Sequence, residues 1–80
     1  MGGPHHIQEI RRQMTRQEWL DQLIEPQIRS LLREQPPDAD EMRPLVEERA
    51  WLLNHDRGLV SGLTADEASR AVQAADGALS

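Results

Sequence analysis

Cysteine, lysine, phenylalanine and tyrosine are all missing from these 80 residues, and each absence closes something off. Without Cys there is neither a disulfide nor a thiolate zinc site to reinforce the fold, and nothing reports on the redox compartment. With two Trp as the only aromatics, the core must be built from Leu, Ile, Val, Met and Ala. Those side chains suit helix-on-helix packing, whereas strand formation is starved. The nine basic residues are all Arg, whose planar guanidinium matches carboxylates at an interface. No apolar run approaches the roughly 18 residues of a membrane span, and the N-terminus lacks the apolar stretch of a signal peptide. A cytoplasmic protein without membrane contact is the expectation.

What is present is helix-start signals. Met14-Thr15-Arg16-Gln17-Glu18-Trp19 and Leu63-Thr64-Ala65-Asp66-Glu67-Ala68 repeat one phrase, a Thr with a Glu three residues on and apolar flanks. Such a Thr caps the first turn while the Glu reaches back to the Thr N–H. Residues 1–6 read as a disordered leader and 7–80 as a single helical domain, with Ile7 to Gln13 able to add a turn or two. From Thr15, Trp19, Leu20, Leu23, Ile24, Ile28, Leu31 and Leu32 fall on one helical stripe. Pro26 interrupts it, which predicts a kink or break near Glu25. Gln35-Pro36-Pro37-Asp38 ends the segment. Asp38 or Asp40 is expected to cap the next helix, with Pro44 tolerated only in its first turn. Met42, Leu45, Val46, Arg49, Ala50, Leu52 and Leu53 mark its face, and Gly58 supplies a left-handed stop. A third helix runs from Thr64 to about Asp76, with Ala68, Ala71, Val72 and Ala75 inward and Gly77 as terminator. The fold class is therefore all-α: a small helical bundle of an antiparallel hairpin plus a short third helix.

Chemistry is thinly written. His5, His6 and His55 are the only imidazoles and lack the spacing of a metal site, so no metal and no cofactor are expected. Ser30 or Ser61 with His55 and Asp56 would be the only hydrolase candidates, and adjacent His and Asp do not readily form the base–orienter bond, so no enzyme is expected. The helix from Leu63 to Gly77 resembles the first helix of a helix-turn-helix, but no recognition helix follows in this sequence and no basic stripe supports it. The Arg11, Arg12 and Arg16 cluster reads as a solvated face.

The net charge of −5 is carried by one half of the chain: residues 1–37 hold five Arg against five acids, residues 38–80 four Arg against nine. An acidic surface repels phosphate backbones, which makes nucleic acid a poor partner. At this length a single core nets only about 3 to 5 kcal/mol, so association with another protein or a second copy is expected. Trp51, Leu52 and Leu53 in succession face nearly all round a helix. The sequence thus points to an apolar patch of Trp51, Leu52, Leu59 and Val60 rimmed by Arg49 and Arg57, in the style of an interface hot spot. The function this implies is a small regulator, adaptor or inhibitor that docks a helical face on a partner. An accessory subunit of a larger assembly is one alternative. An antitoxin- or inhibitor-like acidic mimic of nucleic acid, using Asp38, Asp40, Glu41, Glu47, Glu48, Asp66 and Glu67, is another.

Overall fold

A computed structural model describes residues 14–77. The leader and the Ile7–Gln13 extension lie outside that range. Among the described residues there are three helices and no strand, the all-α arrangement that the apolar periodicity predicts.

The first helix, α1, is built of three consecutive stretches: an α-helical Arg16–Trp19, a π-helical Leu20–Ile24 and an α-helical Glu25–Leu32. Thr15 starts it as expected: its Oγ1 accepts the Glu18 N–H at 3.1 Å, and the Glu18 carboxylate accepts the Thr15 N–H at 3.0 Å. The π stretch lies immediately ahead of Pro26, and within it the Glu25 N–H donates to the Leu20 carbonyl, five residues back. Proline lacks an N–H and its ring collides with the carbonyl four residues earlier. A widened turn relieves that collision, so the helix runs through Pro26 instead of stopping at Glu25. The Gln27 side chain donates to the Leu23 carbonyl at 2.7 Å, serving an acceptor at the edge of the widened turn.

After α1 the chain turns through Gln35, Pro36 and Pro37, with a cis Gln35–Pro36 peptide, into the second helix, α2, Ala39–His55. Asp38 is its cap, accepting the N–H groups of Asp40 and Glu41 at 2.9 and 3.3 Å. Two expectations for α2 need correcting. Pro44 lies beyond the first turn, inside a helix that continues past it, with its ring exposed. The helix does not end on a left-handed Gly58 either. Asp56 adopts an extended backbone and its side chain accepts the Gly58 N–H at 3.0 Å, so a side-chain turn takes the place of the glycine stop.

Residues 59–64 cross to the third helix, α3, Ala65–Ala75, which has the second Thr-Glu cap: Thr64 Oγ1 accepts from Glu67, and Glu67 from the Thr64 N–H. Gly77, at φ +75°, is the left-handed terminator that the sequence predicts.

Glu25 faces Arg49, while Leu31 and Glu34 share a cleft with Asp40 and Pro44; numbers fall along α2 as they rise along α1, so the pair is antiparallel. Leu20, Ile24, Ile28 and Leu31 of α1, Met42 and Leu52 of α2, Leu63, and Ala71, Ala74 and Ala75 of α3 form the buried core. Trp19, Leu45, Val46 and Leu53 cover its margin. On α3 the expected face is turned slightly: Ala74 is inside and Val72 is 47% exposed. Small alanines let α3 approach closely while burying little area each.

Candidate functional site

Two features stand out against this scaffold, one sealed and one open. The sealed one is Glu25, which is 2% exposed and yet carries a carboxylate. Burying an ion without partners is expensive, so its neighbours matter. Oε1 accepts the Gly62 N–H at 2.7 Å. Oε2 accepts from the Ser61 hydroxyl and from Arg49 Nε, the latter at 3.3 Å. Arg49 also donates through Nη2 to Ser61 Oγ at 2.8 Å, and Ser61 Oγ accepts the Leu63 N–H at 3.2 Å. Every member of this cluster is bonded, and among the described residues no buried side-chain polar atom lacks a partner.

The same connection is held at two more points. Gln17 clasps Val60 at both ends of its amide, donating to the Val60 carbonyl at 2.8 Å and accepting the Val60 N–H at 2.9 Å. Arg29 donates to the Gly62 carbonyl and pairs with Glu67 at 3.3 Å. Residues 60–62 are thus fastened to the hairpin by side chains of α1 and α2. Charge-assisted bonds of this kind are stronger than neutral ones. A carboxylate whose lone pairs are already taken by an amide, a hydroxyl and a guanidinium is a structural clasp, with no face open to a substrate.

The open feature is Trp51, 48% exposed on α2. Its ring stacks on His55 at 4.1 Å between centroids and 19° between planes, and the Arg16 guanidinium lies over it at 5.6 Å. His55 Nδ1 is 3.0 Å from the Trp51 carbonyl. A carbonyl only accepts, so in this bond Nδ1 carries the proton. Gln17, next to Arg16, holds the backbone of Val60, which at 71% is the most exposed large apolar side chain among the described residues. Trp51, His55, Arg16 and Val60 therefore belong to one region around the start of α1.

The sequence-derived patch is corrected by this placement. Leu52, on the opposite side of α2 from solvent, is fully buried in the core and is not part of any exposed patch. Arg49 points inward to Glu25 and Ser61 and so is no rim residue. Leu59 is half-buried against the core. Trp51, Arg57 and Val60 remain exposed. Arg16 and His55 join them, and sequence reasoning did not place either there: Arg16 sits 35 positions before Trp51, a separation that no local pattern reports.

The other candidates do not converge. Ser61 is engaged by Glu25 and Arg49, His55 by Trp51, and Asp56 by Gly58, and none of the three is hydrogen-bonded to another. No group of His, Asp or Glu able to hold a metal occurs among the described residues; His5 and His6 lie outside them. Of the acidic series, Asp38 caps α2, Asp40 pairs with Arg43, Asp66 with Arg70 and Glu67 with Arg29. Glu34, Asp40 and Glu41 line a shallow cleft of about 540 Å³ between α1 and α2, floored by Leu31 and Leu45. Among the described residues, no helix is long and apolar enough to cross a membrane.

Comparison with known protein families, with curated proteins and with solved structures found no match to this chain.

Proposed function

We propose that this protein is an interaction module that regulates or inhibits a partner protein by docking the face around Trp51. The observation that carries the reading is an indole left half in solvent on a domain in which, among the described residues, every buried side-chain polar atom has a partner. A Trp typically has much to gain from burial, and together with Arg it dominates interface energetics. The sealed state of Glu25 and Ser61 argues against catalysis, and the intramolecular duties of four carboxylates argue against a free acidic surface imitating nucleic acid. We take the place of action to be the cytoplasm, in keeping with the lack of long apolar runs.

Trp51→Glu tests the reading. The variant and the unchanged chain serve as baits in affinity capture from the source organism, with far-UV circular dichroism as the check on folding and sedimentation as the check on self-association. The expected result is an unchanged helix signal with loss of the captured partner or of the dimer. An identical set of captured proteins, or a variant that unfolds outright, overturns it.

A further inference from the structure

Among the described residues three arginines, Arg16, Arg33 and Arg57, have no carboxylate partner, and of these Arg16 is the one set over an aromatic ring. Arg29, Arg43, Arg49 and Arg70 each pair with a carboxylate of this chain, whereas Arg16 has no ion pair or hydrogen bond from its guanidinium among the described residues. In a protein of net charge −5, an unpaired cation is out of keeping with its surroundings. The acids nearest to it in sequence are occupied: Glu18 closes the Thr15 cap and Asp21 accepts from Gln17 at 3.0 Å. Its one interaction is with the face of Trp51. A guanidinium resting on an aromatic face keeps its in-plane N–H groups available, and holding it there in advance lowers the entropy lost when they bond. With it stands the half-exposed indole; Gln17, the next residue of α1, holds the backbone of the exposed Val60, and Arg57, also without an ion pair among the described residues, lies in the turn that leads from α2 to Val60.

We infer that this face binds an acidic segment of a partner protein, in which a carboxylate takes the free edge of Arg16 in bidentate fashion and a neighbouring apolar side chain covers Trp51 and Val60. The inference rests on the interaction-module reading and gives its partner a chemistry. A carboxylate matches the fork of N–H donors. A phosphate backbone matches less well, because it needs a row of cations and offers nothing to Val60. A second copy docked face to face would set Arg16 against Arg16.

The test is a titration of the nitrogen-labelled full chain with a short synthetic peptide of Asp, Glu and Leu, and with the same peptide carrying Lys at every acidic position. The Trp51 indole N–H resonance, assigned by its loss in Trp51→Phe, is the readout. The acidic peptide is expected to move it saturably, added salt to weaken the effect, and the basic peptide to leave it still. Arg16→Glu should weaken binding by about tenfold or more, as befits a lost charged hydrogen-bond pair. Glu is favourable in the first helical turn, so that loss is not unfolding, and Arg16→Gln gives a milder version of the same change. Equal binding of both peptides, indifference to Arg16→Glu, stronger competition from a single-stranded oligonucleotide, or a concentration-dependent Trp51 shift without peptide each overturns the inference. If Trp51→Glu abolishes partner capture while the acidic peptide fails to bind, the inference alone falls; if capture survives Trp51→Glu, both readings fall.

Discussion

The Glu25 carboxylate and the Gly62 amide, 37 positions apart in sequence, are joined by a 2.7 Å hydrogen bond inside the protein. That bond ties the middle of α1 to the connection before α3. With Arg49 and Ser61 it forms the polar centre of an otherwise apolar core.

Removing one member of this cluster should be far worse than removing its charge pair together. Glu25→Leu leaves Arg49 with an unmatched charge at a site mostly closed to water, which costs about 3 to 5 kcal/mol. That is comparable to the whole stability of a domain this small. The double change Glu25→Leu with Arg49→Leu should recover part of the loss. Urea unfolding followed by circular dichroism checks the order: a double variant no more stable than Glu25→Leu alone contradicts it.

Gly62 is the second point of sensitivity. A Cβ there would stand 3.3 Å from Glu25 Oε1 and 3.8 Å from Arg29 Nη2. The carboxylate is gripped by three donors and has little room to give way, so Gly62→Ala should destabilise despite the roughly 0.4 to 1 kcal/mol that a less flexible unfolded chain ordinarily returns. A higher melting temperature for Gly62→Ala would refute this.

The two helical prolines should respond differently to alanine. Pro26 follows a π turn that accommodates its ring, whereas Pro44 lies in an uninterrupted α-helix and leaves the Asp40 carbonyl without its usual N–H. An interior proline costs about 3 kcal/mol, offset in part by its effect on the unfolded chain. Pro44→Ala should therefore stabilise by about 2 kcal/mol, and Pro26→Ala by clearly less. Equal gains in urea midpoint would show that the π turn gives no relief.

Acid should weaken the fold through its helix starts. Backbone bonding to Thr15 holds the Glu18 carboxyl below the ordinary glutamate range. Backbone bonding to Thr64, then the Arg29 side-chain bond, does the same for Glu67. A group with a depressed folded-state value binds fewer protons folded than unfolded, so its contribution is complete above the unfolded value, about pH 4.3. It disappears as pH falls through the lower folded value. Melting temperature should be level at neutral pH and drop below about pH 4, and a Glu18→Gln, Glu67→Gln variant should show a shallower drop. An identical acid slope in the variant would place the effect elsewhere.

Most local signals carried through to the structure, Gly58 and Pro44 excepted, and distant ones did not. The Thr15 and Thr64 caps, the Asp38 cap and the Gly77 stop are each written within a few residues, and each is found. Glu25 reads as an ordinary polar helix residue because the Ser61 and Gly62 groups that admit it to the core are remote along the chain. The π stretch was invisible for a related reason. Its only sequence trace is Pro26, and a proline equally announces a kink, a break or a widened turn. The same limit separated Trp51 from Leu52: adjacent apolar residues on a helix are distinguished only by where a neighbouring helix arrives. Three apolar residues in a row, read as excess, contain one in the core, one at its edge and one outside.

Residues 60–62 have no regular structure, and side chains of the two preceding helices hold them. The carboxylate at the centre of the molecule is therefore hydrogen-bonded in part by atoms that come late in synthesis, after both arms of the hairpin have been made. A version trimmed to those arms would keep the acid and discard the hydroxyl and amide that quiet it. The protein is a buckle whose tongue and frame were laid down far apart, and the two arms alone do not fasten it.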